Sequence, residues 1–205
     1  MNVRRAIGTA WLLALSMVAA PPGAALAQHQ HAPPMARTQL ASATPDTVLT
    51  DQDGRRFGFA QARGKPVLIA FIYTSCHHVC PLIFDSVSAV QARARAQGQA
   101  DLAAIFVTVD PEIDTPEILK AYALRRGADL ATTVFLTGRD EDLKSVWETF
   151  GLKIKRLGRG LIDHPPLTYL ADANGVVRYR YLGGVLDTEA VMVDLRTLPQ
   201  AAAKR

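Results

Sequence analysis

Cysteine chemistry is the first feature of this sequence, because its only two cysteines lie close together. Cys76 and Cys80 occur in the stretch FIYTSCHHVCPLIF, with His77 and His78 among the three residues between them. Two thiols at this spacing can form a disulfide, cycle as a redox couple or bind a metal ion. A disulfide that closes so short a loop stabilises a fold by only roughly 2 kcal/mol, against roughly 4 to 5 kcal/mol for a 100-residue loop. Stability is therefore not the expected purpose of this pair.

The number of intervening residues bears on the remaining possibilities. Thioredoxin-type redox enzymes have two residues between their cysteines, whereas this chain has three. The extra residue widens the gap and leaves room for an ion between the sulfurs. A peroxiredoxin-type peroxidase has threonine three residues and proline seven residues before its reactive cysteine, where this chain has Tyr73 and Ile69. The spacing therefore argues against a peroxidase and leaves metal binding and dithiol exchange open.

Pro81 predicts where the next helix begins. Proline is tolerated in the first turn of a helix, and it disfavours the helical conformation for the residue before it. We therefore expect the helix to begin at Pro81, with Cys80 as its N-cap and Cys76 in the preceding loop. Both thiols then lie near free backbone N–H groups at the positive end of the helix dipole. That environment favours the thiolate, which both nucleophilic attack and metal ligation require.

A third candidate ligand follows much later in the chain. His164 lies in GLIDHPPLTYL, immediately before a predicted strand, and can face the cysteines if that strand lies near the one before Cys76. Two thiolates and one imidazole suit a soft ion such as Cu(I), and three ligands leave the ion open for transfer. Zinc would prefer a fourth ligand in a closed structural site. Spacing alone leaves open that His164 is a surface or hydrogen-bonding residue.

The elements that must position these residues alternate between strand and helix signals from Asp46 onwards, as is typical of an α/β domain. A hairpin turning at Asp53-Gly54 comes first, and the buried strand KPVLIAFIYT leads to Cys76. Two more strands and a hairpin around Asn174-Gly175 follow. The sequence predicts a mixed sheet with helices on both faces, and places the cysteines where open α/β sheets carry their chemistry. The predicted helices lie within residues 81–97, 114–127, 139–151 and 187–198.

The first 44 residues are predicted to lie outside this domain, which spans residues 45–205. Arg4 and Arg5 precede an apolar run and a small-residue cleavage site, the order of a secretory signal peptide at residues 1–27. The apolar run is shorter than the roughly 20 residues of a membrane-spanning helix. A soluble, periplasmic protein is therefore expected, with an uncleaved inner-membrane anchor as the alternative. Residues 28–44 lack periodicity and are interpreted as a flexible leader.

The net charge argues against nucleic acid as a partner. The formal charge of +4 falls to +2 without the signal peptide, because that segment carries two arginines and no acidic residue. This balance is weakly basic, and no stripe of lysine and arginine follows a recognisable nucleic-acid motif.

Several stretches together resemble the Sco/SenC family of copper-delivery proteins, which have a thioredoxin-like, peroxiredoxin-related fold and help to assemble cytochrome c oxidase. TDQDGRRF and RGKPVLIAFIYTSCHHVCP resemble the family's opening hairpin, strand and C-x-x-x-C-P motif. VTVDPEIDTPEILKAYA resembles its Val-Asp-Pro segment, and IDHPPLTYLADANG resembles its Asp-His segment with the following strand and turn. The resemblance covers residues 47–198 in the family's order.

The resemblance implies that Cys76, Cys80 and His164 bind one copper ion, as Cu(I), Cu(II) or both. It also implies a role in maturing the binuclear copper centre of cytochrome c oxidase subunit II, by supplying copper, by reducing that centre's cysteines, or both. Other periplasmic copper carriers or thiol reductases are further expected partners. A metallochaperone is not an enzyme, whereas a thiol-disulfide oxidoreductase would use Cys76 and Cys80 catalytically. A copper-responsive sensor is a third alternative.

Other residues could also contact copper. The family has proline directly after its first cysteine and then an acidic or polar residue, where this chain has His77 and His78. Either histidine could ligate the ion, favour Cu(II) or a different ion, or protonate near neutral pH and tune the thiols. Both could equally be exposed loop side chains. His29, His31 and Met35 in the leader could hold copper loosely after export, or bind nothing.

Charged residues near the motifs have modest predicted roles. Asp163 could orient His164 or be a turn residue, and Asp110 is not expected to be a ligand. Asp114 and Thr115 are predicted to cap the helix that follows them. A basic stretch before His164 either steers an acidic partner surface or forms a solvated loop. Its basic residues are Lys153, Lys155, Arg156 and Arg159.

Overall fold

The computed structural model describes residues 36–99, 102–158 and 160–199. The predicted signal peptide, the copper candidates of the leader and Arg159 lie outside these residues. No helix in the described ranges is long and apolar enough to cross a membrane. The strands are β1 (Ala36–Ala43), β2 (Val48–Asp51), β3 (Arg56–Gly58), β4 (Val67–Ile72), β5 (Ala103–Thr108), β6 (Thr133–Thr137), β7 (Lys155–Gly158), β8 (Leu161–Asp163), β9 (Leu167–Ala171) and β10 (Val176–Leu182). The helices are α1 (Val79–Ala96), α2 (Pro116–Arg125), α3 (Asp140–Thr149) and α4 (Thr188–Thr197), with a 3-10 helix at Phe59–Ala62.

A mixed sheet of eight strands forms the centre of the domain, in the order β1-β10-β9-β4-β5-β6-β2-β3. β4 and β5 pair in parallel and every residue in them is buried, as their apolar runs predict. β9 pairs with the other side of β4 in the antiparallel direction. The chain after β4 and the chain before β9 therefore meet at the same end of the sheet. This topology brings the His164 segment to the end that carries Cys76.

Aromatic clusters show that helices cover both faces of the sheet, as predicted. Phe106 in β5 stacks with Phe135 in β6, with ring centroids 5.0 Å apart, and contacts the tilted ring of Phe84 in α1 at 5.4 Å. Phe71 in β4 meets Phe150, which directly follows α3, at 5.4 Å. Because Phe71 is paired with Val107 and neighbouring residues in a strand point to opposite faces, the two clusters lie on opposite sides.

Both predicted hairpin turns are confirmed, and in each an aspartate carboxylate organises the turn. Asp51 accepts hydrogen bonds from the N–H groups of Asp53 at 2.9 Å and Arg55 at 2.8 Å, while Gly54 has φ of 76°. Asp172 plays the same part before Gly175, whose φ is 79°. Such positive φ angles favour glycine, because a side chain would be strained there.

The flexible leader predicted for residues 28–44 is wrong for its last part. Residues 36–43 form β1, which pairs antiparallel with β10 at the edge of the sheet. Arg37 donates to the buried carboxylate of Asp194 in α4 at 2.6 Å, and its guanidinium lies over the ring of Tyr179. Seven of the eight β1 residues are exposed. A strand exposed on both faces shows no alternating apolar pattern, so periodicity could not reveal it.

The start of α1 also differs from the prediction, because the helix begins at Val79 with His78 as its N-cap. Pro81 is the third residue of the helix, still in the first turn, where its missing N–H has no intrahelical partner to lose. Cys80 therefore lies inside the first turn instead of capping it. The Cys76 sulfur still accepts from N–H groups of this turn, as predicted. The prediction that the turn favours the thiolate of Cys80 as well is wrong, because the pKa of Cys80 is raised.

The basic stretch before His164 is a structured hairpin. β7 and β8 form a separate two-stranded antiparallel sheet. Arg156 of β7 donates to the buried carboxylate of Asp110, after β5, at 2.9 Å. Arg156 thus holds the hairpin against the domain. The segment is a hairpin and not a loop, but Lys153 and Lys155 are exposed to solvent as the solvated-loop interpretation expects.

Candidate metal centre

The two thiols lie together between the end of β4 and the first turn of α1. Cys76 is 7% exposed, and its N–H donates to the carbonyl of Tyr73 at 3.1 Å, which closes a tight turn after β4. Cys80 is completely buried against the core. Both cysteines are free thiols, so the structure contains the reduced pair. The two thiols of the predicted site therefore lie side by side, with a hydrogen bond between them.

Hydrogen bonding makes the two thiols unequal. The thiol of Cys80 donates to the Cys76 sulfur and lowers the pKa of Cys76 well below its ordinary value, and the N–H groups of His78, Val79 and Cys80 add to this effect. The same hydrogen bond raises the pKa of Cys80, and burial raises it further. Cys76 is therefore the thiolate, and Cys80 keeps its proton. The result is one thiolate that can act as nucleophile or soft ligand and one completely buried thiol beside it.

His164 is presented to this end of the sheet from the segment between β8 and β9. The ring is half-buried, and its Nδ1 donates to the carbonyl of Pro165 at 3.1 Å. Burial lowers the pKa of His164, and the Pro165 carbonyl and the charges of Cys76 and Asp163 oppose this shift. The imidazole is therefore neutral near pH 7, with the proton on Nδ1 and the lone pair of Nε2 available as a ligand.

The structure brings the three predicted ligands to one end of the sheet without closing them into a cage. Cys76 acts electrostatically on His164, which places the ring near the thiolate. Among the described residues, however, no three His, Cys, Asp or Glu side chains are close enough together to hold a metal ion. His77 and His78 are exposed at the start of α1. The two thiols are thus adjacent, and the described structure does not gather His164 with both of them into one metal-binding cluster.

The roles predicted for Asp163 and Asp114 differ from those that the structure gives them. Asp163 is exposed, and the partner that the structure gives to the His164 ring is the Pro165 carbonyl. The prediction that Asp114 caps α2 is wrong. Thr115 is the N-cap and accepts from the N–H of Ile118. The prediction for Thr115 is confirmed, because proline is favoured at the first helical position and Pro116 therefore marks Thr115 as the cap.

Asp114 instead supports the turn that carries Cys76. Its buried carboxylate accepts from the N–H of Thr74 at 3.2 Å and from the hydroxyls of Thr74 and Thr108. Burial raises the pKa of Asp114, while the hydrogen bonds from both threonines lower it. The negative charge of Asp114 also contributes to the raised pKa of Cys80. In the sequence, Asp114 can be recognised only as an acidic residue after the buried strand β5, and such a residue can have several roles.

The fold and this dithiol site define a thioredoxin-like protein with one reactive cysteine and one buried cysteine at the start of a helix. The family model described as SCO1/SenC matches residues 36–200. The chain therefore belongs to the SCO1/SenC family.

Individual relatives agree with this assignment. An SCO2-like protein of Rickettsia typhi is 34% identical over 141 residues, which are 65% of this chain and 68% of that protein. The chain spans between 63% and 68% of the length of the Rickettsia SCO2-like proteins that it matches. A SCO1/SenC family lipoprotein from Bacillus anthracis superposes with a TM-score of 0.72 at 28% identity, covering 78% of this chain and 97% of that one. The ScoI protein of Bradyrhizobium japonicum, solved with copper bound, gives a TM-score of 0.60 at 28% identity, over 77% and 100% of the two chains.

Proposed function

We propose that this protein is a copper metallochaperone that holds one copper ion through Cys76, Cys80 and His164. It would deliver the ion to the binuclear copper centre of cytochrome c oxidase subunit II. The observation that carries the proposal is the reduced pair of thiols at the start of α1, with a neutral imidazole held beside it. Membership of the family and the copper present in the solved Bradyrhizobium relative support it.

The chemistry of the donors fits copper. Cys76 offers a thiolate, Cys80 becomes a second one when the ion displaces its proton, and Nε2 of His164 offers a lone pair. Two thiolates and an imidazole suit Cu(I), and a three-donor site leaves the ion accessible to an incoming ligand. Since Cys76, Cys80 and His164 do not form one cluster in the described structure, the three-donor state requires them to move together. Transfer of Cu(I) then exchanges ligands and moves no electron.

The proposed location is the periplasm. It depends on the predicted signal peptide at residues 1–27, whose cleavage would release the protein, and an uncleaved segment would anchor it to the inner membrane instead. Among the described residues the sheet begins with β1 at Ala36, so cleavage after residue 27 would leave every described strand in the chain.

The inequality of the thiols favours a second candidate, a thiol-disulfide oxidoreductase that reduces the cysteines of the same copper centre. The Cys76 thiolate would attack one sulfur of the target disulfide and release the other as a thiolate, which gives a mixed disulfide. Cys80 would then lose its proton, attack the Cys76 sulfur and release the second target thiol. The target gains two electrons, and a Cys76–Cys80 disulfide remains for a periplasmic thiol reductase to reduce.

Copper stoichiometry and X-ray absorption of the reduced protein test the proposal, with His164→Ala as the variant and His77→Ala as the matched control. We expect one copper bound to two sulfurs and at least one nitrogen in the wild type. The His164→Ala variant should lose or greatly weaken this site, whereas His77→Ala should keep it. Wild-type protein without stable copper, but with a readily cycled disulfide and target reduction that survives His164→Ala, would favour the oxidoreductase.

A further inference from the structure

Tyr73 lies between the two halves of the proposed copper site, and the proposed function gives it no role. The residue directly follows β4 and is only 6% exposed. Its carbonyl accepts the N–H of Cys76 at 3.1 Å, so its backbone is part of the turn that presents the first thiol. Its ring meets the imidazole of His164 edge-on, with centroids 6.2 Å apart and planes at 66°. The side chain of Tyr73 therefore contacts the His164 ring, while the backbone of the same residue holds the turn of Cys76.

The hydroxyl of Tyr73 makes a second connection between the same two segments. It accepts the N–H of Ile162 in β8 at 3.5 Å, two residues before His164. Burial raises the pKa of Tyr73, the Ile162 N–H lowers it, and the charge of Cys76 and hydrogen bonding with its sulfur raise it again. The hydroxyl thus lies beside the Cys76 sulfur as well as beside the chain that leads into His164.

We infer that Tyr73 is a positioning residue that sets how His164 approaches the thiols when copper binds, an inference that rests on the proposed function. The ring limits the tilt of the imidazole, and the hydroxyl ties the end of β8 to the Cys76 turn. Because the three proposed ligands are not gathered into one cluster in the described structure, their rearrangement on copper binding is guided by these contacts. Partners that orient a metal ligand commonly change metal affinity by about 10- to 100-fold when they are removed.

A double-mutant cycle separates this role from general packing. Cu(I) affinity would be measured by competition with a chromogenic chelator for wild type, Tyr73→Phe, His164→Ala and the double variant. Phenylalanine keeps the ring against His164 and removes only the hydroxyl. The control is Tyr122→Phe, since the hydroxyl of Tyr122 is buried and has no hydrogen-bond partner in the described part of the chain. We expect Tyr73→Phe to weaken Cu(I) binding about tenfold when His164 is present and to have no further effect when His164 is absent.

A second measurement on the metal-free protein keeps the inference independent of copper. Amide hydrogen exchange at Ile162 should accelerate in Tyr73→Phe, because this N–H loses its acceptor. It should not change in Tyr122→Phe. Equal losses of Cu(I) affinity with and without His164 would overturn the inference, as would unchanged exchange at Ile162. A wild-type protein that binds no Cu(I) would instead overturn the proposed function, and the metal-free measurement would still decide the role of Tyr73.

Discussion

The carboxylate of Asp114 accepts hydrogen bonds from both the N–H and the hydroxyl of Thr74, a residue 40 positions earlier in the chain. Thr74 lies between β4 and Cys76, and Asp114 lies just before α2. A second hydroxyl, from Thr108 at the end of β5, donates to the same carboxylate. The turn that presents Cys76 is therefore fixed by a buried acidic residue from the segment between β5 and α2.

Replacing Asp114 with asparagine should destabilise the protein and loosen the Cys76 turn. An amide offers one oxygen where the carboxylate offers two, so one of the donors from Thr74 or Thr108 loses its acceptor. A buried donor without a partner costs about 1–3 kcal/mol, and urea unfolding would measure this loss. Asp46→Asn, which changes an exposed carboxylate, is the matched control and should leave the free energy of unfolding unchanged. Equal stability of the two variants would contradict the structural role of Asp114.

The raised pKa of Asp114 also predicts a pH dependence. Burial favours the neutral acid in the folded protein, so the folded-state pKa lies above the unfolded value of about 3.9. The contribution of Asp114 to stability is then complete below the unfolded pKa and is lost as pH rises through the folded pKa. The stability difference between wild type and Asp114→Asn should therefore be larger in acid than at pH 7. Urea titrations across this range would show the trend, and a difference that grows with pH would mean that the folded-state pKa is lowered.

The two thiols should differ sharply in reactivity. Because Cys80 and three backbone N–H groups stabilise the Cys76 thiolate, iodoacetamide should label Cys76 at neutral pH while Cys80 stays unmodified. As the pH is lowered, the labelling rate of Cys76 should fall. The midpoint of this fall should lie well below the pH of about 8.5 at which an ordinary thiol titrates. Peptide mass spectrometry after timed labelling would assign each site. In Cys80→Ala the main stabilising hydrogen bond is gone, so the midpoint should move upwards; an unchanged midpoint would assign the effect to the helix N–H groups alone.

The sequence predicts the central architecture well, because the decisive signals are local. An unbroken apolar run identifies β4 as a strand buried on both faces, and Asp53-Gly54 and Asn174-Gly175 specify their hairpins. The position of the thiols at the end of β4 follows from the same run. Thr115 with Pro116 likewise marks the start of α2, which the structure confirms.

The parts that sequence reasoning missed depend on contacts between distant residues. β1 is held by its pairing with β10 and by the hydrogen bond from Arg37 to Asp194. Neither contact produces a periodic apolar pattern in the local sequence. The roles of Asp114 and Tyr73 depend on which side chains the fold brings to them from other strands. The position of His164 relative to the thiols is equally non-local, since it depends on the antiparallel pairing of β9 with β4. The cysteine pair itself could be recognised because both members lie within one short segment.

Arg37→Gln should show that β1 belongs to the folded domain. Asp194 is almost completely buried and is ion-paired to Arg37, with a further hydrogen bond from Tyr181 at 2.8 Å. Removal of the guanidinium leaves a buried charge with one neutral donor, at a cost of about 1–3 kcal/mol. Chemical unfolding would measure it, with Arg55→Gln on the exposed hairpin as control. If both variants matched the wild type, β1 would contribute little to stability.

Arg156 should hold the β7–β8 hairpin, and with it His164, against the domain. Asp110 is 3% exposed and receives the Arg156 guanidinium at 2.9 Å, so Arg156→Gln leaves a buried carboxylate without its cation. We expect a loss of about 1–3 kcal/mol in the free energy of unfolding and faster proteolysis within the hairpin. Lys155→Gln removes the same charge from the neighbouring, exposed position and should cause neither effect.

The rate of copper transfer at low salt separates the two possible roles of the Arg156 charge. A slower rate in both variants indicates steering of an acidic partner, whereas a slower rate in Arg156→Gln alone indicates that the hairpin must be held in place.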